Sequence, residues 1–278
     1  MPTNRLVTFT TDFGLNDHYV GTMRGVITNI NSAAQIIDIC NSVQSFDILD
    51  GALTISQAYK YFPSDTVHVV IIDPGVGTNR RPLLVQTEKH IFLAPDNGVL
   101  SLVYEREERL TVRHITSEHY FLQPVSATFQ GRDVFAAIAG WLSKGVDPAK
   151  FGEEITDFVR FSTPRPKVLS PTQLKAVVLK VDKFGNLVTN ISEQDAAALF
   201  TGNPPEFKLT VGKAEVTKLK RTFAEGAPGE VFAVIGSMGF VEIVSNRGNA
   251  SIAAQAGKGV EIQVTFAQPQ FAVAQNPA

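Results

Sequence analysis

Three prolines within eight residues, Pro164, Pro166 and Pro171, divide the 278-residue chain into two parts whose apolar patterns differ. Each proline fixes φ and removes a backbone donor, so residues 164–172 read as a stiff, extended connector. Before it, short β-branched runs at 6–10, 35–39, 67–72, 83–86 and 90–94 alternate with stretches of helical spacing. In the stretch 19–30, for example, Val20, Met23, Val26, Ile27 and Ile30 fall on one face. Further helix candidates lie at 45–61, 97–107 and 131–144. Strands alternating with helices predict an α/β domain over residues 1–163, with a mostly parallel sheet covered on both faces. Beyond the connector, runs at 174–181, 207–211, 231–235, 241–244 and 259–266 are short and separated by Gly, Pro and Asn. They predict a smaller all-β domain over 173–266, an antiparallel barrel or sandwich. Residues 267–278, rich in Gln, Pro and Ala, read as a loose tail.

Composition removes several classes of function. A formal net charge of −2, from 25 basic and 27 acidic residues, argues against bulk binding to nucleic acid. No apolar stretch approaches the ~20 residues that cross a bilayer, so no membrane partner is expected. The N-terminus passes almost directly into a strand without the long apolar region of a signal peptide, which gives the expectation of a cytoplasmic protein. Cys40 is the single cysteine, so an intrachain disulfide is impossible and a cysteine metal cluster is not expected. The five histidines, at 18, 68, 90, 114 and 119, are scattered and lack zinc-ligand spacing. There is no phosphate loop with its lysine, and the lone Gly-x-Gly at Gly75 and Gly77 lacks the third glycine of the dinucleotide fingerprint. No metal and no cofactor is expected.

What remains is a set of polar clusters at strand ends. Asp73 follows the apolar run 67–72, and a glycine-containing loop carries the chain on to Arg80. In open α/β sheets the carboxyl ends of the strands are where ligands bind. A carboxylate held there by a guanidinium can orient a water molecule. Asp12 and Asp17 flank Gly14 after the first strand, and Asp96 and Asn97 follow the strand ending at Ala94. In the second domain the clusters are Asp182-Lys-Phe-Gly-Asn186, Arg221-Thr-Phe223 and Gly236-Ser237-Met-Gly239, with Asn246 close behind. Carboxylates can bind both hydroxyls of a ribose, an Asn side chain can read an adenine edge, and a Phe can stack on a base. The assortment suits a nucleoside better than a metal.

These segments, in this order, resemble the S-adenosylmethionine hydroxide adenosyltransferase family, which is related to fluorinating and chlorinating adenosyltransferases. The stretches that carry the likeness are Thr10-Thr-Asp12-Phe-Gly-Leu-Asn-Asp17-His-Tyr19, Asp73-Pro-Gly-Val-Gly-Thr-Asn-Arg80 and Ala94-Pro-Asp-Asn97-Gly. Thr128-Phe-Gln130-Gly-Arg132-Asp133, Asp182-Lys-Phe-Gly-Asn186 and Gly236-Ser237-Met-Gly continue it. The resemblance implies a homotrimer with S-adenosylmethionine, a substrate rather than a cofactor, bound between one subunit's first domain and its neighbour's second. It implies attack of water on the C5′ carbon, releasing adenosine and methionine. By position, Asp12 would hold the ribose hydroxyls beside a wall formed by Phe46, and Asn186 and Phe223 would hold the adenine. Asp17, Asp182 and Ser237 would meet the methionine end, with Asn246 a further substrate contact.

One departure matters. The hydrolysing members set Asp, Arg and His around the water; Asp73 and Arg80 match the first two, but Gln130 stands in the place of the third. Gln can donate and accept hydrogen bonds, so it can fix a water, but it takes no proton at neutral pH. Two alternatives stay open: a protein that binds adenosine or S-adenosylmethionine without turnover, and a halide-using adenosyltransferase. Halide-using relatives carry an uncharged tyrosine where Asp73 stands, whereas an anion within ~4 Å of a carboxylate costs a few kcal/mol. Gly131 leaves room that a halide could occupy. Arg132 and Asp133 read as an ion pair bracing the loop that presents Gln130.

Overall fold

The computed structural model describes residues 5–271. The chain forms two units, the first ending at Ser162 and the second beginning at Thr163.

The first unit runs β1 (Val7–Thr11), α1 (Tyr19–Ile30), β2 (Ile36–Cys40), α2 (Ile48–Ala58), β3 (Thr66–Ile71), β4 (Pro82–Thr87) and β5 (His90–Pro95). It continues with α3 (Ser101–Tyr104), β6 (Leu110–His114) and a π-helical segment, Gly131–Ala136, that leads into α4 (Ala137–Ser143). The six-stranded sheet has the order β2-β1-β3-β5-β4-β6. It is mixed: β2, β1, β3 and β5 are parallel, while β4 is antiparallel to both β5 and β6. The turn at Glu88 and Lys89 accounts for the antiparallel β4–β5 pairing, since a link that short permits only a hairpin. Strand β6 was not anticipated because Thr111, Arg113 and His114 dilute its apolar signal.

Alternate residues of β3 serve opposite faces, as the two-residue period of a strand requires. Val67, Val69 and Ile71 pack with Met23 and Ile27 of α1 and Ile138 of α4. Val70 and the following Ile72 pack with Ile55 of α2, Leu83 and Phe92. The sheet is therefore covered on both sides. Helix α2 starts later than Ser45: Asp47 is its N-cap, accepting from the Asp50 amide at 3.1 Å. The helix expected at 97–107 shrinks to the single turn of α3.

Strand β1 lies between β2 and β3. The chain leaves β1 through α1 to reach β2 on one side, then crosses by α2 to β3 on the other. The loops after β1 and β3 therefore diverge at the carboxyl edge of the sheet, the switch point at which such folds form a crevice. Asp12 and Asp73 stand in those two loops.

The second unit comprises β7 (Lys167–Ser170), β8 (Gln173–Val181), β9 (Leu187–Ser192), β10 (Phe207–Val211), β11 (Ala214–Val216) and β12 (Leu219–Lys220). Then follow β13 (Val231–Ile235), β14 (Phe240–Ser245), the short helix α5 (Ala250–Ala254) and β15 (Glu261–Phe266). A nine-stranded sheet runs β11-β10-β15-β8-β9-β14-β13-β12, with β7 paired to β8. Its pairings are antiparallel except β12 with β13. Helix α5, capped by Asn249, makes the unit β-dominated rather than wholly β. Part of the expected connector is strand β7, because residues 167–170 fall between the prolines and keep their donors. The expected loose tail is attached at its start: Ala267 donates to the Glu206 carbonyl, Gln270 and Phe271 donate to that of Pro171, and the Phe271 ring meets Phe266 edge-on. Residues 272–278 lie outside the described residues. Among the described residues no helix is long and apolar enough to cross a membrane.

Candidate active site

Asp73 follows the buried pair Ile71 and Ile72 at the end of β3. The loop folds back on itself through Val76 N–H to Asp73 O (3.3 Å) and Thr78 N–H to Gly75 O (3.1 Å), which returns Arg80 to the strand end. Arg80 Nε then donates to Asp73 Oδ1 and Oδ2 at 3.1 and 3.0 Å, and Nη2 to Oδ2 at 2.5 Å. Only 8% of the Arg80 side chain and 5% of the Asp73 side chain is exposed. A forked pair so little hydrated fixes both groups, and loss of either leaves a buried charge. The Arg80 guanidinium also lies 5.7 Å from the centre of the Phe135 ring. Asp96 and Asn97 are structural: Asn97 Nδ2 donates to the Ile72 carbonyl, and Asp96 accepts from Arg81 Nε and Val159 N.

Gln130 immediately precedes the π-helical segment, a local widening often found at functional sites. Within it Asp133 is fully buried. Its carboxylate accepts from the Ser126 amide at 2.8 Å and is paired with Arg132, Nε to Oδ1 at 2.6 Å. The expected ion pair is present, and it ties down residues 126–130. That segment meets the Asp73 loop through Gly77, whose φ of +80° and closeness to the Ala127 carbonyl exclude any side chain.

Between the two loops lies a cleft of about 140 Å³ whose walls include Asp73, Thr128, Gln130 and Gly131. Phe13, Tyr19 and Phe129 supply aromatic walls; the Tyr19 and Phe129 rings meet at 5.1 Å. A water molecule occupies ~30 Å³ in the liquid, so the cleft admits a few solvent-sized groups. The room at Gly131 is limited, for a Cβ there would stand 3.4 Å from Met23 Sδ and from the Phe13 and Phe129 rings.

Asp12 emerges beside Asp73. Burial pushes its carboxyl above the ordinary value, the Asp73 charge adds to this, and a hydrogen bond from Phe46 N–H opposes it. That bond, 2.8 Å to Oδ2, holds Phe46 in a left-handed conformation (φ 65°), and the residue is 73% exposed. A bulky residue in that region is an outlier of the kind that collects at binding sites. Asp17 is exposed on the loop before α1 and is not in the cleft wall.

In the second unit a cleft of about 550 Å³, within the size range of small-molecule sites, is lined by Phe184, Asn186, Phe223, Ser245, Arg247 and Gly248. Asp182 builds one wall indirectly: Oδ1 accepts from the amides of Phe184 and Asn186, and Oδ2 from Asn186 Nδ2 at 2.8 Å. Asn186 is thereby fixed, with its carbonyl oxygen and one amide hydrogen uncommitted. Phe184 and Phe223 present exposed rings. Asn246 is not in this wall; its Nδ2 donates to the Gly226 carbonyl at 2.7 Å. Ser237 is exposed on the turn between β13 and β14.

Sequence reasoning thus brings together Asp73, Arg80, Gln130 and Gly131 in one unit, and Asn186 and Phe223 in the other. It missed Phe13, Tyr19, Thr128 and Phe129, although all four stand inside or beside the polar motifs. It also left Phe184 unassigned, although that ring stands inside the Asp182–Asn186 motif, and it missed Ser245, Arg247 and Gly248, for which the run Asn246-Arg-Gly-Asn249 after a strand was the signal. Among the described residues no group of three or more His, Cys, Asp or Glu is placed to hold a metal ion.

Residues 7–152 match the SAM hydroxide adenosyltransferase N-terminal domain, and residues 176–263 match the corresponding C-terminal domain. The chain is 34% identical to an (R)-S-adenosyl-L-methionine hydrolase of Methanocaldococcus jannaschii, over 88% of this chain and 90% of that one. It is 25% identical to a fluorinase of Nocardia brasiliensis, over 93% and 96% of the two chains. An uncharacterized conserved protein from Thermotoga maritima has a crystal structure that superposes with a TM-score of 0.85 at 33% identity, covering 93% of this chain and 99% of that one. The chain belongs to the SAM hydroxide adenosyltransferase family.

Proposed function

We propose that the protein hydrolyses S-adenosylmethionine to adenosine and L-methionine by in-line attack of water on C5′. The observation that carries this reading is the nearly buried Asp73–Arg80 pair, which presents a carboxylate to a solvent-sized cleft shared with Gln130. The relatives named (R)-S-adenosyl-L-methionine hydrolase support it.

The positively charged sulfur is already a good leaving group, so no residue need protonate it. The water oxygen forms a bond to C5′, and the C5′–S electron pair leaves with sulfur as the methionine thioether. The water proton passes to solvent, or first to Asp73. Asp73 accepts one water hydrogen and so points an oxygen lone pair at the carbon, while Arg80 keeps the carboxylate in one orientation. Gln130 fixes the same water through its amide. Positioning and drying a nucleophile in this way supplies several kcal/mol. Asp12 holds the ribose hydroxyls with Phe46 as a flanking wall, and Asn186 and Phe223 take the adenine. From the family resemblance we take Asp17, Asp182 and Ser237 to meet the methionine end and Asn246 to be a further substrate contact, and Gly131 leaves space beside the nucleophile.

The reading carries with it a homotrimer, with each site shared by neighbouring subunits, a cytoplasmic location, and no cofactor. The negative charge of Asp73 at the cleft opposes a halide nucleophile. Binding without turnover is the second reading, favoured by one observation: Gln130 offers no proton acceptor. Incubation of the purified protein with S-adenosylmethionine, followed by chromatography, separates the two. Adenosine and methionine in equal amounts are expected; bound but intact substrate would establish the second reading.

A further inference from the structure

Strands β1 and β2 diverge beside Asp12, and a side chain takes over where their ladder ends. The last backbone pairing is Thr10 with Cys40. One residue further on, Thr11 Oγ1 donates to Asn41 Oδ1 at 2.9 Å. The same hydroxyl oxygen accepts from Phe13 N–H at 3.4 Å, so its own hydrogen goes to Asn41 and fixes which end of that amide faces it. Two backbone bonds complete the clasp: Val43 N–H to Thr11 O at 3.2 Å, and Gly14 N–H, on a residue with φ of +70°, to Asn41 O at 2.6 Å. Asn41 therefore grips the chain on both sides of Asp12, before it through Thr11 and after it through Gly14. Thr11 is fully buried and Asn41 is 5% exposed. Asn41 Nδ2 is buried with no hydrogen-bond partner among the described residues. An orphaned donor costs stability, so a residue chosen for packing alone would not be an asparagine here. Departures of this kind from a well-paired interior collect at functional sites.

We propose that Asn41 is a positioning residue for the ribose of the substrate, acting through Asp12, whose loop it clamps at both ends. The inference rests on the reading that gives the ribose hydroxyls to Asp12, but not on turnover. The Asp12 carboxylate is tethered on one side, where Oδ2 accepts from Phe46 N–H at 2.8 Å. The Asn41 clasp restrains the backbone from which that carboxylate projects. Hydroxyls on two adjacent ribose carbons need a carboxylate in one place and one orientation, because hydrogen bonds weaken steeply as their angles degrade.

The test compares adenosine with 2′,3′-dideoxyadenosine, which lacks both hydroxyls, by titration calorimetry on the intact protein. Wild-type protein is expected to bind adenosine about tenfold or more tightly than the dideoxy compound. Asn41→Leu should bring the two affinities to within about threefold of each other, by weakening adenosine and leaving the dideoxy compound unchanged. Thr11→Val removes the hydroxyl at nearly constant shape and should do the same. The double variant should add little to either, because the two residues act through one bond. Variants that keep the wild-type preference overturn the inference and leave the ribose role of Asp12 intact. Variants that lose both compounds in parallel overturn it as well, since that marks a purely structural residue. Equal wild-type affinity for the two compounds removes the ribose role of Asp12 and the inference with it. A preference present in wild type and lost in both variants, without any turnover, would leave Asn41 in its role and remove the hydrolase reading alone.

Discussion

Gly77 stands against the Ala127 carbonyl oxygen, with only 2.7 Å between that oxygen and the place a Cβ would occupy. This approach joins the loop carrying Asp73 and Arg80 to the segment carrying Gln130. Gly77→Ala adds a methyl where there is no room and where φ is +80°. The expected cost is about 1–3 kcal/mol in urea denaturation, with a larger proportional loss of activity than of stability. Unchanged stability and activity would show that the two loops need not meet.

Arg80 holds Asp73 through a planar fork, and a lysine cannot reproduce two parallel donors. Arg80→Lys should therefore lower kcat by about tenfold or more while KM changes little, because the carboxylate loses its orientation rather than the site its substrate. Steady-state kinetics at saturating substrate checks this; an effect confined to KM would place Arg80 in binding instead.

Gln130→His restores a titratable group at the cleft. If the water proton limits the rate, the variant should be faster than wild type above the ordinary imidazole pKa of ~6.5 and lose that gain below it. A pH–rate profile identical to that of wild type would mean that the proton leaves through solvent or Asp73 in both proteins.

A separate prediction concerns stability. His68 is fully buried between Thr8 Oγ1, 2.7 Å from its Nδ1, and His90 Nδ1, 3.3 Å from its Nε2. Burial, and then the neighbouring His90, push its pKa from 6.5 down to about 3. Below the unfolded value of 6.5 the unfolded chain takes up a proton that the folded chain refuses. Stability present above that pH is thus lost as pH falls toward 3. His68→Gln removes this uptake, so wild type should lose up to about 1.4 kcal/mol more per pH unit than the variant within the window. Parallel curves in urea denaturation across that range would show that His68 is not the group refusing the proton.

The parts of the fold written in local patterns could be read directly. Helix Tyr19–Ile30 follows from its apolar spacing, and Asp73 and Arg80 from an acid and a base on either side of a glycine loop. Strand Leu187–Ser192 was missed because Thr189, Asn190 and Ser192 disguise an interior run, although Thr189 and Asn190 are buried and hydrogen-bonded to Val241 O and Val177 N. The cleft walls at Ser245 and Arg247 come from a strand end whose neighbours are set by pairing across the sheet, which spacing cannot report. Glu242 illustrates the same limit: an acid within a strand looks like a solvent-facing residue until the fold buries it.

The most direct measurement is mass spectrometry of adenosine formed in heavy-oxygen water, run side by side for wild type and Asp73→Asn. The account predicts that wild type places one heavy oxygen on the 5′ hydroxyl and releases methionine in equal amount, and that Asp73→Asn slows this by about a hundredfold or more. Adenosine without label, or an Asp73→Asn protein as fast as wild type, would contradict it.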